Sequence, residues 1–160
     1  MSISKEEIYA LFRVHCSGCE GLCCKNSVFT LFNHELEGLK PDRALEFTED
    51  GTKNIRRVKM GALCPFSRDK GCEIELGARP LDCLTYPIYP SIRYKESACL
   101  IDGMTVHRSC PSCESIAADA GLLRLLRSYW EEQLSLNGPE AVSEWFGQDE
   151  YWDSENVIRC

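Results

Sequence analysis

The sequence predicts a small α+β fold, mostly α with irregular loops, in which bound metal staples an N-terminal helix and a long C-terminal helix together. Eleven of the 160 residues are cysteine. A helical apolar pattern stands at each end of the chain, and the cysteine-bearing middle shows little periodicity. We therefore treat 1–160 as one domain, with a metal-binding part at about 15–113, a helical part at 114–147 and a tail at 148–160.

The first predicted helix begins at a capping box, Ser4-Lys-Glu-Glu7, in which the serine and the glutamate bond each other's backbone N–H. Apolar residues follow at helical spacing, so the helix should run from about Lys5 to about His15. It would deliver Cys16 at its C-terminal end. The segment that follows contains glycines and little periodicity, which predicts a loop that folds around a bound group.

The next elements are predicted to be short. The β-branched and aromatic run 27–32 favours a strand. The segment from Asn33 favours a short helix that is capped by Asn33 and ends before Pro41. From Asp42 to Gly61 the signal is weak, and a β-hairpin or an irregular excursion is expected.

Proline dominates the middle of the chain. Four of the seven prolines lie between Cys64 and Pro90, so regular structure there must be short. One helical turn is expected at 79–83, with Pro80 near its first position. A β-hairpin is expected around Asp102-Gly103, a dipeptide that favours tight turns.

The C-terminal part is predicted to be helical. Apolar residues at steps of three and four predict a long helix from about Glu114 to Leu136, with Asn137-Gly138 as its C-cap. Pro139 can then open a second helix that ends near Phe146.

The net charge of −7 argues against nucleic acid or an anionic membrane as the main partner. No window reaches the length of a membrane span, and the N-terminus lacks the apolar core of a secretory signal. A cytoplasmic location is therefore expected, where thiols stay reduced. Because an odd number of cysteines suits a disulfide framework poorly, the thiols indicate metal or redox chemistry.

The cysteine spacing is typical of metal sites. Cys16-x-x-Cys19 matches a zinc knuckle, and adding Cys23 gives three corners of an iron–sulfur cube. Partners would have to come from later in the chain, where Cys110-Pro-Ser-Cys113 is a second knuckle-like pair. Binding would then tie distant segments together and replace missing core.

Other interpretations of the thiols remain open. A cysteine such as Cys99 can be a small buried apolar residue. A disulfide scaffold and a dithiol pair at Cys16 and Cys19 are further alternatives. The histidines His15, His34 and His107 are more simply surface or capping residues than metal ligands. This interpretation is least secure for His15, which stands beside Cys16. Cys113 and Cys160 have no assigned role.

The motif C16SGC19EGLC23C24, followed by C64PFSRDKGC72EIELGARPLDC83LTYP, resembles the YkgJ-like cysteine-cluster family, the zinc- or iron-chelating CxxCxxCC domain. Leu84 stands where that pattern commonly has arginine. The resemblance implies bound metal, and Cys110 is a further match to the family's last cysteine. It implies the ligands Cys16, Cys19, Cys23, Cys24, Cys64, Cys72 and Cys83, with Cys110 added as an eighth.

The leading expectation is an iron–sulfur cluster, of the [4Fe–4S] type, in an all-cysteine site that serves electron transfer, structure or chemistry on a protein partner. A zinc protein with one or two Cys₄ sites is the alternative. A third possibility is a cluster-assisted protein-modifying enzyme, by analogy with the related cysteine cluster of flagellin lysine N-methylases. No Ser/His/Asp set, P-loop or HExxH motif appears, so a binding protein is favoured over an enzyme.

Two further groups of residues accompany the cysteines. Arg79 could donate hydrogen bonds to a thiolate or to a partner's carboxylate, or pair with Asp82. The tyrosines Tyr86, Tyr89 and Tyr94 could line a pocket, although packing is the simpler role.

Overall fold

The two predicted terminal helices are present and pack against each other. The computed structural model describes residues 3–16, 28–39, 44–69, 71–95, 98–146 and 155–160. Within these ranges it is an α+β fold whose elements follow in chain order: α1 (Lys5–Cys16), β1 (Val28–Phe32), α2 (Asn33–Leu39), β2 (Ile55–Lys59), β3 (Ser67–Arg68), β4 (Gly71–Cys72), a 3₁₀ turn (Leu76–Ala78), α3 (Leu81–Thr85), β5 (Ile88–Lys95), β6 (Ala98–His107), α4 (Cys113–Ala117), α5 (Ala120–Phe146) and β7 (Val157–Arg159).

Helix α1 begins as predicted. The backbone N–H of Ser4 donates to Glu7 Oε2 at 3.0 Å, and the backbone N–H of Glu7 donates to Ser4 Oγ at 3.2 Å. This reciprocal pair confirms the capping box. The helix buries Ile8 and Phe12 on one face, which fixes the direction in which its last residue, Cys16, leaves the core.

The C-terminal helical part is divided at two places. The predicted break at Gly138 is confirmed: its φ of 80° and ψ of 162° are not helical, and Pro139 starts the second segment. Helical structure begins at Cys113, close to the predicted start at about Glu114, but the predicted single helix is wrong, because α4 ends before Asp119 and α5 begins after it. Asp119 causes this division, since its Oδ1 accepts the backbone N–H groups of Gly121 and Leu122 as an N-cap.

Strands β1 and β2 form an antiparallel pair that runs from Val28 opposite Lys59 to Phe32 opposite Ile55. The expected excursion at 42–61 therefore supplies β2. The chain around Phe47 covers the other edge of β2 through an isolated bridge to Val58. A short β3–β4 hairpin follows, and it places Ser67 opposite Cys72.

Strands β5, β6 and β7 form an antiparallel sheet in that order. The hairpin expected around Asp102-Gly103 is wrong, because these residues lie inside β6. The extra residue is absorbed as a register shift opposite Ser91 and Ile92. Asp102 then accepts hydrogen bonds from Arg93 across the ladder, at 2.6 Å and 3.1 Å, instead of supporting a turn.

Two apolar clusters organise the described part of the chain. The main cluster lies between α1, the β5–β6 sheet and α5, and Trp130 at its centre is fully buried. The second cluster lies between the β1–β2 pair and the proline-rich middle, and it comprises Phe29, Leu31, Leu39, Val58, Cys64, Phe66 and Ile74.

A polar clamp on Glu144 joins the turn before β2 to the last part of α5. Thr52 Oγ1 and Asn54 Nδ2 donate to Glu144 Oε2 at 2.5 Å and 2.9 Å. The largely buried Arg57 donates from Nη2 to the backbone oxygen of Glu144 at 3.1 Å, and its Nη1 lies 3.0 Å from Asp50. We call this contact the Glu144 clamp.

In the part of the chain described, no helix has the length and apolar character to cross a membrane.

Candidate cysteine-lined site

Three of the predicted ligands, Cys64, Cys72 and Cys83, line one cavity of about 110 Å³. They come from three different segments, because Cys64 precedes β3, Cys72 lies in β4 and Cys83 lies in α3. The structure therefore brings together positions that are 19 residues apart at most in sequence but belong to separate elements. The remaining lining residues are Val28, Phe29, Met60, Ile74, Arg79, Asp82 and Tyr86.

Local turns explain how each cysteine reaches the cavity. The backbone N–H of Ser67 donates to the oxygen of Cys64 at 2.9 Å, which closes the turn at Pro65. The β3–β4 ladder then returns Cys72 beside Ser67. Pro80 occupies the N-cap of α3, one position before that predicted, and the following helical turn presents Cys83.

The other predicted ligands are distributed differently. Cys19, Cys23 and Cys24 lie outside the described residues. Cys16 is exposed at the end of α1. Val28, which follows Cys24 by four positions in the sequence, lines the cavity itself. Within the described ranges, no three His, Cys, Asp or Glu side chains form a group that could hold a metal ion.

Cys110 does not line the cavity and instead packs in the main apolar cluster. Its neighbour Ser109 still connects it to the cavity rim. Ser109 Oγ lies 2.5 Å from the Tyr86 hydroxyl and 2.7 Å from His107 Nδ1. Cys110, the eighth predicted ligand, is therefore adjacent in sequence to a residue that contacts the cavity lining, but its own side chain belongs to the main cluster.

Two carboxyl groups that the sequence did not single out as site residues support the cavity wall. Asp82 accepts the backbone N–H of Thr30 at 2.7 Å and the Tyr89 hydroxyl at 2.5 Å. Burial raises the pKa of Asp82 to about 6, and these hydrogen bonds oppose that rise. The only sequence signal was an acidic residue in the first turn of α3.

The second carboxyl group, Glu35, joins two helix starts. Its Oε2 accepts the backbone N–H of Phe32 at 2.8 Å, and its Oε1 accepts that of Leu81 at 2.7 Å. Burial raises the pKa of Glu35 to about 7. Since Leu81 opens α3, this carboxyl group sets the position of the helix that carries Cys83.

Arg79 lines the cavity in a fixed orientation. Its guanidinium carbon lies 5.1 Å from the centre of the Tyr9 ring, and its Nε donates to the oxygen of Ile74 at 3.3 Å. The guanidinium group also has two terminal amino groups that can donate hydrogen bonds. The arrangement supports the expectation that Arg79 can donate to an anion at this site.

The three histidines make contacts that suit structural roles. His15 lies 3.0 Å from Asp119 through Nε2 and 3.1 Å from Ser115 Oγ through Nδ1. Although these residues are those of a hydrolytic triad, Ser115 Oγ donates to the oxygen of Ser112, so its hydrogen is directed away from the histidine. His34 stacks on Phe32 with ring centroids 5.7 Å apart.

The tyrosines and the remaining cysteines also differ in position. Tyr86 lines the cavity, whereas Tyr89 is buried in the main cluster with its hydroxyl on Asp82. The side chain of Tyr94 lies outside the described part. Cys99 is half-buried against the main cluster, and Cys160 is exposed after β7.

No protein-family model, curated protein or solved structure matches this chain. The resemblance to the YkgJ-like family therefore stays an expectation that rests on the cysteine motifs.

Proposed function

We propose that the protein binds an iron–sulfur cluster through cysteine sulfurs at the cavity lined by Cys64, Cys72 and Cys83. The observation that supports the proposal is the convergence of three cysteines from three separate segments on one small cavity. The cavity also contains Arg79 and Asp82, whose side-chain types are seldom fully buried unless they are paired. Sulfur is the donor that iron–sulfur clusters require.

The run from Cys16 to Cys24 is proposed to supply the further ligands. The described residues before this run end at Cys16, the last residue of α1. Those after it begin at Val28, which lines the cavity. The other three cysteines of the run, Cys19, Cys23 and Cys24, stand between these two positions in the sequence. The three cysteines that line the cavity do not form a metal site alone within the described residues, so the proposal requires this run.

The chain's own residues would tune such a centre. Arg79 faces the cavity with a positive charge held between Tyr9 and Ile74, which would stabilise a cluster that carries net negative charge. The apolar side chains of Phe29, Met60 and Ile74 line the same cavity, while Cys83 is exposed to solvent. A bound cluster supplies one-electron transfer, and we propose a cytoplasmic protein that performs it for, or on, a protein partner.

Anaerobic purification tests this proposal. The protein should be brown, absorb near ~400 nm and contain iron and inorganic sulfide, because thiolate-to-iron charge transfer colours such clusters. Cys83→Ser should lose most of the iron. Cys160→Ser is the matched control, since Cys160 is exposed and does not line the cavity, and it should keep its iron.

Two results would contradict the proposal. A colourless protein with stoichiometric zinc would contradict the cluster and support the zinc alternative, because zinc binds the same thiolates. A metal-free protein in which Cys83→Ser and Cys160→Ser behave alike removes the metal site altogether.

A further inference from the structure

The segment Cys110-Pro111-Ser112-Cys113 forms a tight turn before α4. The backbone N–H of Cys113 donates to the oxygen of Cys110 at 3.0 Å. Ser112 has φ −95° and ψ 12°, the values of the third position of a type I turn, and proline occupies the second. Such a turn holds its first and fourth Cα atoms within about 7 Å, which overlaps the Cα separation of a disulfide.

Both cysteines of this turn face the same core. Cys110 is buried with 7% of its surface exposed, and the half-buried Cys113 packs against the same main cluster. Both cysteines therefore border the same cluster, and the turn brings their Cα atoms close together. Their exposure is unequal, so only Cys113 is accessible to a molecule in solvent.

The turn is fixed at both ends. The backbone N–H of Cys110 donates to the oxygen of His107 at 3.2 Å, and Ser112 Oγ donates to the oxygen of His15 at 2.8 Å. These bonds hold the turn in the conformation that keeps the two cysteines close. The turn is also distinct from the cavity, whose lining contains neither Cys110 nor Cys113.

We infer that Cys110 and Cys113 form a reversible dithiol–disulfide site that exchanges electrons with small disulfides and thiols. This function lies beyond the proposed metal centre and does not require it. It also assigns a role to Cys113, which the sequence left without one.

The exchange proceeds in two balanced steps. The thiolate of Cys113 attacks one sulfur of a small disulfide, a mixed disulfide forms, and one thiolate of the attacked molecule leaves. The thiolate of Cys110 then attacks the Cys113 sulfur, the Cys110–Cys113 bond forms, and the second thiolate leaves. The protein gives up two electrons and two protons, and the small disulfide becomes two thiols.

Glutathione buffers of graded composition test this inference on the full-length protein. The protein is equilibrated anaerobically, its thiols are trapped with an alkylating reagent, and its disulfides are mapped by peptide mass spectrometry. Cys110–Cys113 should be the first and main linked pair to form as the share of glutathione disulfide rises. The iron content should not change while it forms.

Single substitutions separate the two roles. Cys110→Ser should accumulate a glutathione adduct on Cys113 at roughly ten times the wild-type level, because the second attack is lost. Cys99→Ser is the matched control, since Cys99 is also half-buried against the main cluster, and it should leave the Cys110–Cys113 link unchanged.

Three outcomes would overturn the inference. Wild-type protein whose Cys113 pairs mainly with another cysteine shows that the turn is not the redox unit. Absence of the link in fully oxidised buffer has the same meaning, and neither measurement needs a variant to fold. Loss of iron in folded Cys110→Ser or Cys113→Ser identifies the turn as part of the metal site instead. Absence of iron from the wild type contradicts only the metal proposal and leaves the mapping experiment valid.

Discussion

At the scale of single residues, Glu35 shows how one side chain positions the candidate site. Its two oxygens accept the backbone N–H groups of Phe32, the residue before α2, and of Leu81, the first residue of α3, so one carboxyl group connects the starts of two helices. Burial is the largest effect on the pKa of Glu35 and raises it to about 7, against the lowering by the hydrogen bonds from Leu81 and Phe32; the nearby charges of Lys5 and Asp82 have smaller, opposite effects.

This raised pKa predicts a pH dependence of folding. A carboxyl group whose pKa rises on folding stabilises the native state fully below its ordinary pKa of 4.5, and that contribution is lost as the pH rises through about 7. Glu35→Gln cannot ionise. The wild type should therefore lose on the order of 2 kcal/mol of unfolding free energy relative to the variant between about pH 4.5 and pH 8, allowing for solvent screening.

Urea denaturation across this pH range measures the effect. Glu37→Gln is the control, because Glu37 lies on the same helix and is exposed. A wild-type curve that stays parallel to that of Glu35→Gln at every pH would contradict the prediction.

Residue-scale features were predictable where the partners are close in sequence. The Ser4–Glu7 capping box could be identified because both partners lie within one helical turn. The contact between Glu35 and Leu81 joins residues 46 positions apart, and no local pattern encodes it. The pairing of Arg79 with Asp82 was open in the sequence, and the structure instead places Arg79 on Tyr9 and Asp82 on Thr30 and Tyr89.

At the scale of elements, Gly138 divides the C-terminal helical part. Its φ of 80° and ψ of 162° lie in a region that only glycine readily adopts. The break turns the second segment back so that Trp145 meets Trp130, with ring centroids 5.2 Å apart. Sequence reasoning succeeded here because glycine followed by proline interrupts a helix by covalent geometry alone.

Gly138→Ala is expected to destabilise the fold by about 1–3 kcal/mol. No neighbouring atom lies within 4 Å of the added methyl position, so the cost comes from the backbone conformation rather than from a clash. Gly38→Ala is the matched comparison. It adds the same methyl group in helix α2 with equally open surroundings, and it should stabilise by up to about 1 kcal/mol.

Thermal denaturation of the two variants gives the measurement. Opposite signs of the change in stability support the conformational explanation, and a Gly138→Ala variant as stable as the wild type contradicts it.

The hairpin expected at Asp102-Gly103 shows where local sequence reasoning fails. A turn-forming dipeptide was overridden by the longer pairing of β6 with β5, which no short window displays.

At the scale of the whole molecule, the two apolar clusters differ in what holds them. The main cluster contains large buried side chains from helices and sheet, including Trp130 and Trp145. The second cluster is small, and Cys64 is one of its members while Cys72 packs against it. The sequence predicted that metal compensates for a sparse core, and it could not predict that Cys64 and Cys72 belong to the second cluster while Cys110 belongs to the main one.

Removal of metal should therefore act on one part of the protein. With a chelator, amide hydrogen exchange should increase in β2 and in the 64–74 segment, because the second cluster would lose its ligand-based support. Exchange in β6 and in the first half of α5 should change little. A uniform increase over both parts would contradict this division, and Cys160→Ser treated in the same way serves as the control.

The Glu144 clamp makes these two parts mechanically dependent on each other. Arg57 lies in β2, and it holds the backbone of α5 near the helix end, while Thr52 and Asn54 hold the side chain of the same residue. A displacement of β2 must break these bonds or carry the end of α5 with it. Since β2 pairs with β1, whose Val28 and Phe29 line the cavity, the clamp ties the end of α5 to the strand pair beside the cysteines.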